Sequence, residues 1–141
     1  MKDNDRVIRE IRGRAVVVRG NDIDTDRIIP ARYMKAVTFD ELGQYAFHDV
    51  RYDASGKALA HPFNDPRYQG AAILVVNKNF GCGSSREHAV WALEVNGINV
   101  VMAPSFSRIF RQNMYNCGLM ALEIPADTVA ELFRKHGGKK T

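Results

Sequence analysis

Short apolar runs along the chain are separated by polar stretches rich in glycine, asparagine and proline. Residues 14–19 (RAVVVR) predict a strand, and the three consecutive valines predict burial on both of its faces. Residues 71–76 (AAILVV), 98–103 (INVVMA) and 121–124 (ALEI) predict three more strands. Between them, residues 84–96 and 105–117 predict helices, each stopped by a glycine, Gly97 or Gly118. In the second helix, Phe106, Ile109, Phe110, Met114 and Cys117 are expected on one apolar face. A last helix is predicted from Pro125 to about Lys135. Strands alternating with helices of this length predict an α/β fold with a parallel β-α-β-α-β core and right-handed crossovers.

The first half is less regular. Gly20 and Asn21 end the first strand, and a polar stretch, NDIDTDRIIPARYMK, follows with Pro30 marking a turn or a helix start. Residues 39–47 (FDELGQYAF) predict a short helix. Residues 48–70 read as loop, with turn signals at 53–56 (DASG) and 64–66 (NDP). An irregular stretch of that length inside a compact domain is usually functional or covers something.

Length and composition narrow the classes. The 141 residues, 45% hydrophobic and 26% charged, suit a single globular domain over residues 1–141. The net charge of +4 is spread along the chain, without a basic–aromatic motif, so no nucleic-acid partner is expected. No apolar run reaches the roughly 20 residues of a membrane span. The N-terminus lacks the apolar core of a signal peptide. Two cysteines, Cys82 and Cys117, form no CxxC and predict reduced thiols in a cytoplasmic protein.

The chemistry concentrates in residues 79–89, NFGCGSSREHA, between a predicted strand and helix, where open α/β sheets bind ligands. Gly81 and Gly83 let the backbone approach a ligand closely. The helix start offers unpaired N–H groups to an anion, and Arg86 adds a planar charge able to grip a carboxylate through two hydrogen bonds. Rival motifs fail by position. A dinucleotide fingerprint needs glycine where Arg86 stands, a Walker loop needs a lysine after the glycines, and neither Ser84 nor Ser85 has the flanking glycines of a nucleophile elbow. Ser84-Ser-Arg-Glu87 also matches a capping box, which would make Ser84 an N-cap. Asp22, Asp24 and Asp26 alternate like a calcium loop, but Arg27 and Tyr33 occupy its glycine and closing glutamate positions. They are expected to order a loop or to hold arginines of the site. His48, His61, His88 and His136 show no paired ligand spacing, and no metal site is expected.

Three segments, GNDIDTDRIIPARYMK, NDPRYQGAAILVVNKNFGCGSSREHAVWAL and APSFSRIFRQNMYNCGL, resemble the small subunits of 3-isopropylmalate dehydratases, of the aconitase superfamily. The likeness runs from about Gly13 to Ile124, with the DTDxIIP run, the GCGSSREHA loop and the SFxxIF helix in family order. It implies a swivelling β/β/α domain in three layers, like the last domain of aconitase. It implies a large-subunit partner carrying a 4Fe–4S cluster, with no cofactor bound by this chain. The reaction implied is conversion of 2-isopropylmalate to 3-isopropylmalate through 2-isopropylmaleate, in leucine biosynthesis. Members usually continue past the last segment with further strands and a helix, so the second sheet is expected to be incomplete here.

Carried over residue by residue, the resemblance makes Ser84 the general base and gives Ser85 a backbone N–H beside it. Arg86 would bind the substrate carboxylate, and Asp26 falls where a site aspartate lies. Tyr33, Met34 and Lys35 fall where these subunits distinguish substrate side chains. A free serine is a weak base, so its anion would need Arg86 and the helix N-terminus, and the capping and catalytic readings of Ser84 are compatible. The alternatives are a related hydro-lyase acting on citraconate and 2-methylmalate or on homoaconitate, and a non-catalytic carboxylate-binding module.

Overall fold

The computed structural model describes residues 14–33, 40–68, 70–83 and 87–136. Four strands, β1 (Ala15–Val18), β2 (Ile73–Val76), β3 (Val100–Ala103) and β4 (Met120–Glu123), lie side by side in that order, every pair parallel. The helices are α1 (Thr25–Ile28), α2 (His48–Arg51), α3 (Glu87–Val95), α4 (Arg108–Asn116) and α5 (Ala126–His136). The parallel core is therefore β2-α3-β3-α4-β4, and β1 adds to it with Ala15 opposite Ile73.

Alternation along the strands feeds two cores. Val16, Val18, Leu74, Val76, Val101 and Ala103 pack with Val90, Leu93, Phe110 and Met114 of α3 and α4. Val17 and Val75 point the other way, against Val129 and Phe133 of α5. The sheet is a middle layer, which is why three successive valines of β1 are all buried. Each such residue contributes about 1.5–3 kcal/mol through the apolar area it removes from water. Among the described residues there is one sheet, and the face away from α3 and α4 is covered by the amphipathic α5. That helix packs on β1, β2 and β3, while Met120 and Leu122 of β4 stay exposed.

Both glycine stops close their helices in the same way. Gly97 has φ +89°, its N–H donates to the Glu94 carbonyl, and Ile98 N–H donates to the Leu93 carbonyl. Gly118, at φ +83°, repeats this with Tyr115, while Leu119 N–H donates to Met114. These paired bonds satisfy the last free carbonyls, and the left-handed residue they require favours glycine.

Several expectations change. The helix expected over residues 39–47 is a 3-10 helix over Asp40–Tyr45, followed by left-handed Phe47 (φ 57°) and α2. Gly43 weakens an α-helix there, and burial of Leu42, Ala46 and Phe47 sets the tighter path. The stretch read as loop contains α2 and two 3-10 turns (Pro62–Asn64 and Pro66–Tyr68), with the 53–56 turn closed by Gly56 N–H donating to the Asp53 carbonyl. Arg51 and Asn64 tie it together: Arg51 Nε donates to Asn64 Oδ1 (2.8 Å), and Asn64 Nδ2 donates to the Arg51 carbonyl (2.8 Å). Finally, Ile109 is 56% exposed, because it lies about 100° around the helix from buried Phe110.

His61 couples this region to pH. Its Nδ1 accepts from Phe63 N–H (3.1 Å), which leaves the proton of the neutral ring on Nε2. That Nε2 is buried with no hydrogen-bond partner among the described residues. Burial, helped by the charge of Arg51, lowers the imidazole from 6.5 to about 4. The unfolded chain therefore binds the proton first, and folding free energy is lost as pH falls from about 6.5 towards 4. His61→Asn keeps an acceptor for Phe63 N–H and does not titrate. Relative to this variant, the parent chain is expected to lose urea resistance over that window. Parallel pH profiles for the two chains would overturn the expectation.

Candidate functional site

The site is built where β1, β2 and β3 end. In parallel α/β sheets the carboxyl ends of the strands open a crevice, because the chain leaves the sheet there to enter helices or loops. Residues 78–82 leave β2 between the segments that follow β1 and β3 and bond to both. Asp22 N–H donates to the Lys78 carbonyl (3.0 Å), Gly81 N–H to Ile23 (2.8 Å) and Thr25 N–H to Cys82 (2.9 Å). On the other side Phe80 N–H donates to the Ser105 carbonyl (3.2 Å), and Ser107 N–H donates to Phe80 (2.9 Å). Residues 105–107, expected in the first turn of a helix, are instead held beside Phe80, and α4 starts at Arg108.

Each glycine has a distinct steric reason. Gly81 holds φ +84°, and a Cβ there would lie 2.2 Å from Phe110 Cγ, so the loop rests on the Phe110 ring. That ring meets Phe80 edge to face at 5.4 Å. Gly83 holds φ +94°, and its Cβ would lie 3.3 Å from Asp24 Cβ. The glycine turn and the aspartate run are thus in contact.

The aspartates order the loop. Asp22 Oδ1 accepts from Asn79 Nδ2 (3.0 Å). Asp24 caps α1, its Oδ1 accepting from Arg27 N–H (2.8 Å). Exposed Asp26 accepts from Ala31 N–H through Oδ1 (3.1 Å), steering the chain into the 3-10 turn Ala31–Tyr33.

Tyr33 belongs to a second cluster. Its ring stacks on Tyr45 at 4.1 Å and 9°, and the Arg32 guanidinium sits over it at 4.6 Å. One face cannot hold both at such distances, so Tyr33 is sandwiched. Its hydroxyl meets His48 Nδ1 at 3.2 Å. Arg32 in turn forks onto Asp49 and holds that carboxyl below its usual range. Both faces and the hydroxyl of Tyr33 thus have partners, Tyr45, Arg32 and His48, which fix where the ring stands. Ser84, Ser85, Arg86, Met34 and Lys35 lie outside the described residues.

Cys82 and Cys117 are free, and burial pushes both thiols up, with Asp24 and Asp22 adding to the effect at Cys82. Iron–sulfur clusters are commonly held by four cysteine thiolates. The chain has two cysteines, fewer than such a set needs. No helix among those residues is long and apolar enough to cross a membrane. The sequence reading missed Asn79 and Ser105 as shapers of the loop. The available signal was an asparagine, tolerant of left-handed backbone, two residues before Gly81.

A parallel sheet whose strand ends gather a glycine turn and an aspartate run defines a class, and residues 6–127 match the Aconitase C-terminal domain family, to which the chain belongs. Within it, the chain is 51% identical over 124 residues to the 3-isopropylmalate dehydratase small subunit of Thermus thermophilus, covering 88% of this chain and 62% of that protein. It is 45% identical over 121 residues to the small subunit of the same name from Bacillus subtilis, covering 85% and 61%. The crystal structure of 3-isopropylmalate dehydratase from Methanocaldococcus jannaschii superposes with a TM-score of 0.65 at 36% identity, covering 82% of this chain and 62% of that one. The chain thus spans about three-fifths of the relatives it matches.

Proposed function

We propose that this chain is the small-subunit part of a cytoplasmic 3-isopropylmalate dehydratase and works with a large subunit on a small hydroxy-dicarboxylate. The observation that carries the reading is the Gly81–Gly83 turn, held at three strand ends and leading towards α3, in a chain 45–51% identical to small subunits of that name. The large subunit carries the 4Fe–4S cluster and supplies its chemistry. This chain supplies the remaining groups. Ser84 takes the proton from the carbon next to a carboxylate. Ser85 N–H and the start of the helix stabilise negative charge there. Arg86 grips the carboxylate, Asp26 keeps the neighbouring loop in place, and Met34 and Lys35 meet the substrate side chain.

The test is co-expression with a 3-isopropylmalate dehydratase large subunit, anaerobic cluster loading, and a hydration assay on 2-isopropylmaleate beside citraconate and homoaconitate. Co-purification with a preference for 2-isopropylmaleate is the expected result. Absence of a complex would sink the reading, and preference for another acid would move the chain to a related hydro-lyase. In that complex Arg86→Lys is expected to lower kcat/KM about 10- to 100-fold, the scale of a lost charged hydrogen bond of roughly 1.5–3 kcal/mol. Unchanged kinetics would remove Arg86 from the site.

A further inference from the structure

Two of the three non-glycine residues with positive φ among those described, Asp22 (φ 54°) and Asn79 (φ 57°), face each other across the loop. Left-handed backbone is sparsely populated by non-glycine residues and persists where its surroundings over-determine it. Here they do. Asn79 N–H donates to Ser105 Oγ (2.9 Å), and its side-chain amide donates to Asp22 Oδ1 (3.0 Å). Asp22 N–H returns to the Lys78 carbonyl (3.0 Å). One asparagine therefore ties together the segments that follow β1, β2 and β3. Both strained residues lie within four positions of Gly81–Gly83 or Asp26, which the proposed function places in the site.

We propose that Asn79 is a positioning residue, whose side-chain hydrogen bond to Asp22 sets the glycine turn against the aspartate run and so sets the rate of turnover. The inference rests on the proposed function above for its kinetic part only. Asn and Asp both tolerate left-handed backbone, so the two groups can be exchanged. Asn79→Asp alone opposes two carboxylates. Combined with Asp22→Asn it puts the amide back on the opposite side.

In the complex with a large subunit, Asn79→Asp is expected to lower kcat on 2-isopropylmaleate by about tenfold or more, with KM changing less, since small misplacements can cost up to about 10²-fold. The exchanged pair is expected to recover kcat to within about threefold. Amide hydrogen exchange at residues 80–83 reports the same bond without any assay: faster in Asn79→Asp, recovered in the pair. Asn79→Gly, which keeps the backbone bond and relieves the strain, serves as a second variant should Asn79→Asp fold poorly, and should also exchange faster and turn over more slowly. Unchanged kcat in the single variants would overturn the proposal. So would failure of the exchanged pair to recover rate and protection, or a rate loss matched by loss of folded protein. If the parent complex turns over no isopropylmaleate, the functional reading fails, and the exchange measurement still decides whether Asn79 holds the loop.

Discussion

Gly81→Ala is expected to lower the unfolding free energy of the chain by roughly 2–5 kcal/mol, the combined scale of an overpacked core site and of left-handed backbone without glycine. The new Cβ would stand 2.2 Å from Phe110 Cγ and 2.5 Å from Cδ2, well inside van der Waals contact. Neither side can yield easily. Phe110 is 2% exposed and packs on Phe80, while Gly81 N–H is bonded to the Ile23 carbonyl. Against a typical domain stability of about 5–15 kcal/mol, this loss would leave much of the chain unfolded on warming. Urea unfolding measures it directly. In a Phe110→Leu background the same substitution should cost at least about 1 kcal/mol less, because contacting residues couple on that scale. A Gly81→Ala chain with the parent's urea midpoint would mean that the loop does not rest on Phe110.

The second large effect is on turnover. Ser84→Ala in the assembled complex is expected to reduce kcat by about 10³-fold, within the range of about 10²–10⁴ for loss of a general base. The rival role, an N-cap of α3, predicts a different pattern: about 1 kcal/mol of stability lost and little direct effect on rate. Ser84→Asn separates the two, since asparagine caps a helix as well as serine does but cannot serve as this base. Under the proposed role it keeps the parent's unfolding midpoint and loses turnover as Ser84→Ala does. Near-parent turnover in Ser84→Asn would return Ser84 to being a cap.

What could be read from one dimension was local. Three valines in a row at residues 16–18 required a strand covered on both faces, and the sheet lies between two helical layers. Gly97 and Gly118 announced helix ends because few other residues take the left-handed turn without cost. The alternation of strands and helices after Gly70 left a parallel sheet as the compact answer, and placed the NFGCGSSREHA loop at a strand end. The chemistry proposed for the motif came from the same local reading, of a glycine pair, a serine and an arginine before a helix within a few residues.

The remainder depended on contacts between distant residues, for which a single sequence holds no register. Asp22 and Asn79 are 57 positions apart, and Asn79 and Ser105 are 26 apart. Nothing in either neighbourhood names the other. The resemblance put Tyr33 with Met34 and Lys35, but that Tyr45 stacks on its ring and Arg32 lies over it was set by tertiary contacts. The NFGCGSSREHA loop could be proposed as an anion site from its own residues. That Gly81 must be glycine because Phe110 fills the space of a Cβ was decided by packing, which brings α4 beneath the loop. Sequence alone determined which local elements form and which residue types stand in the loop. Tertiary structure decided which side chains hold that loop in place, because that depends on atoms meeting across the strand ends.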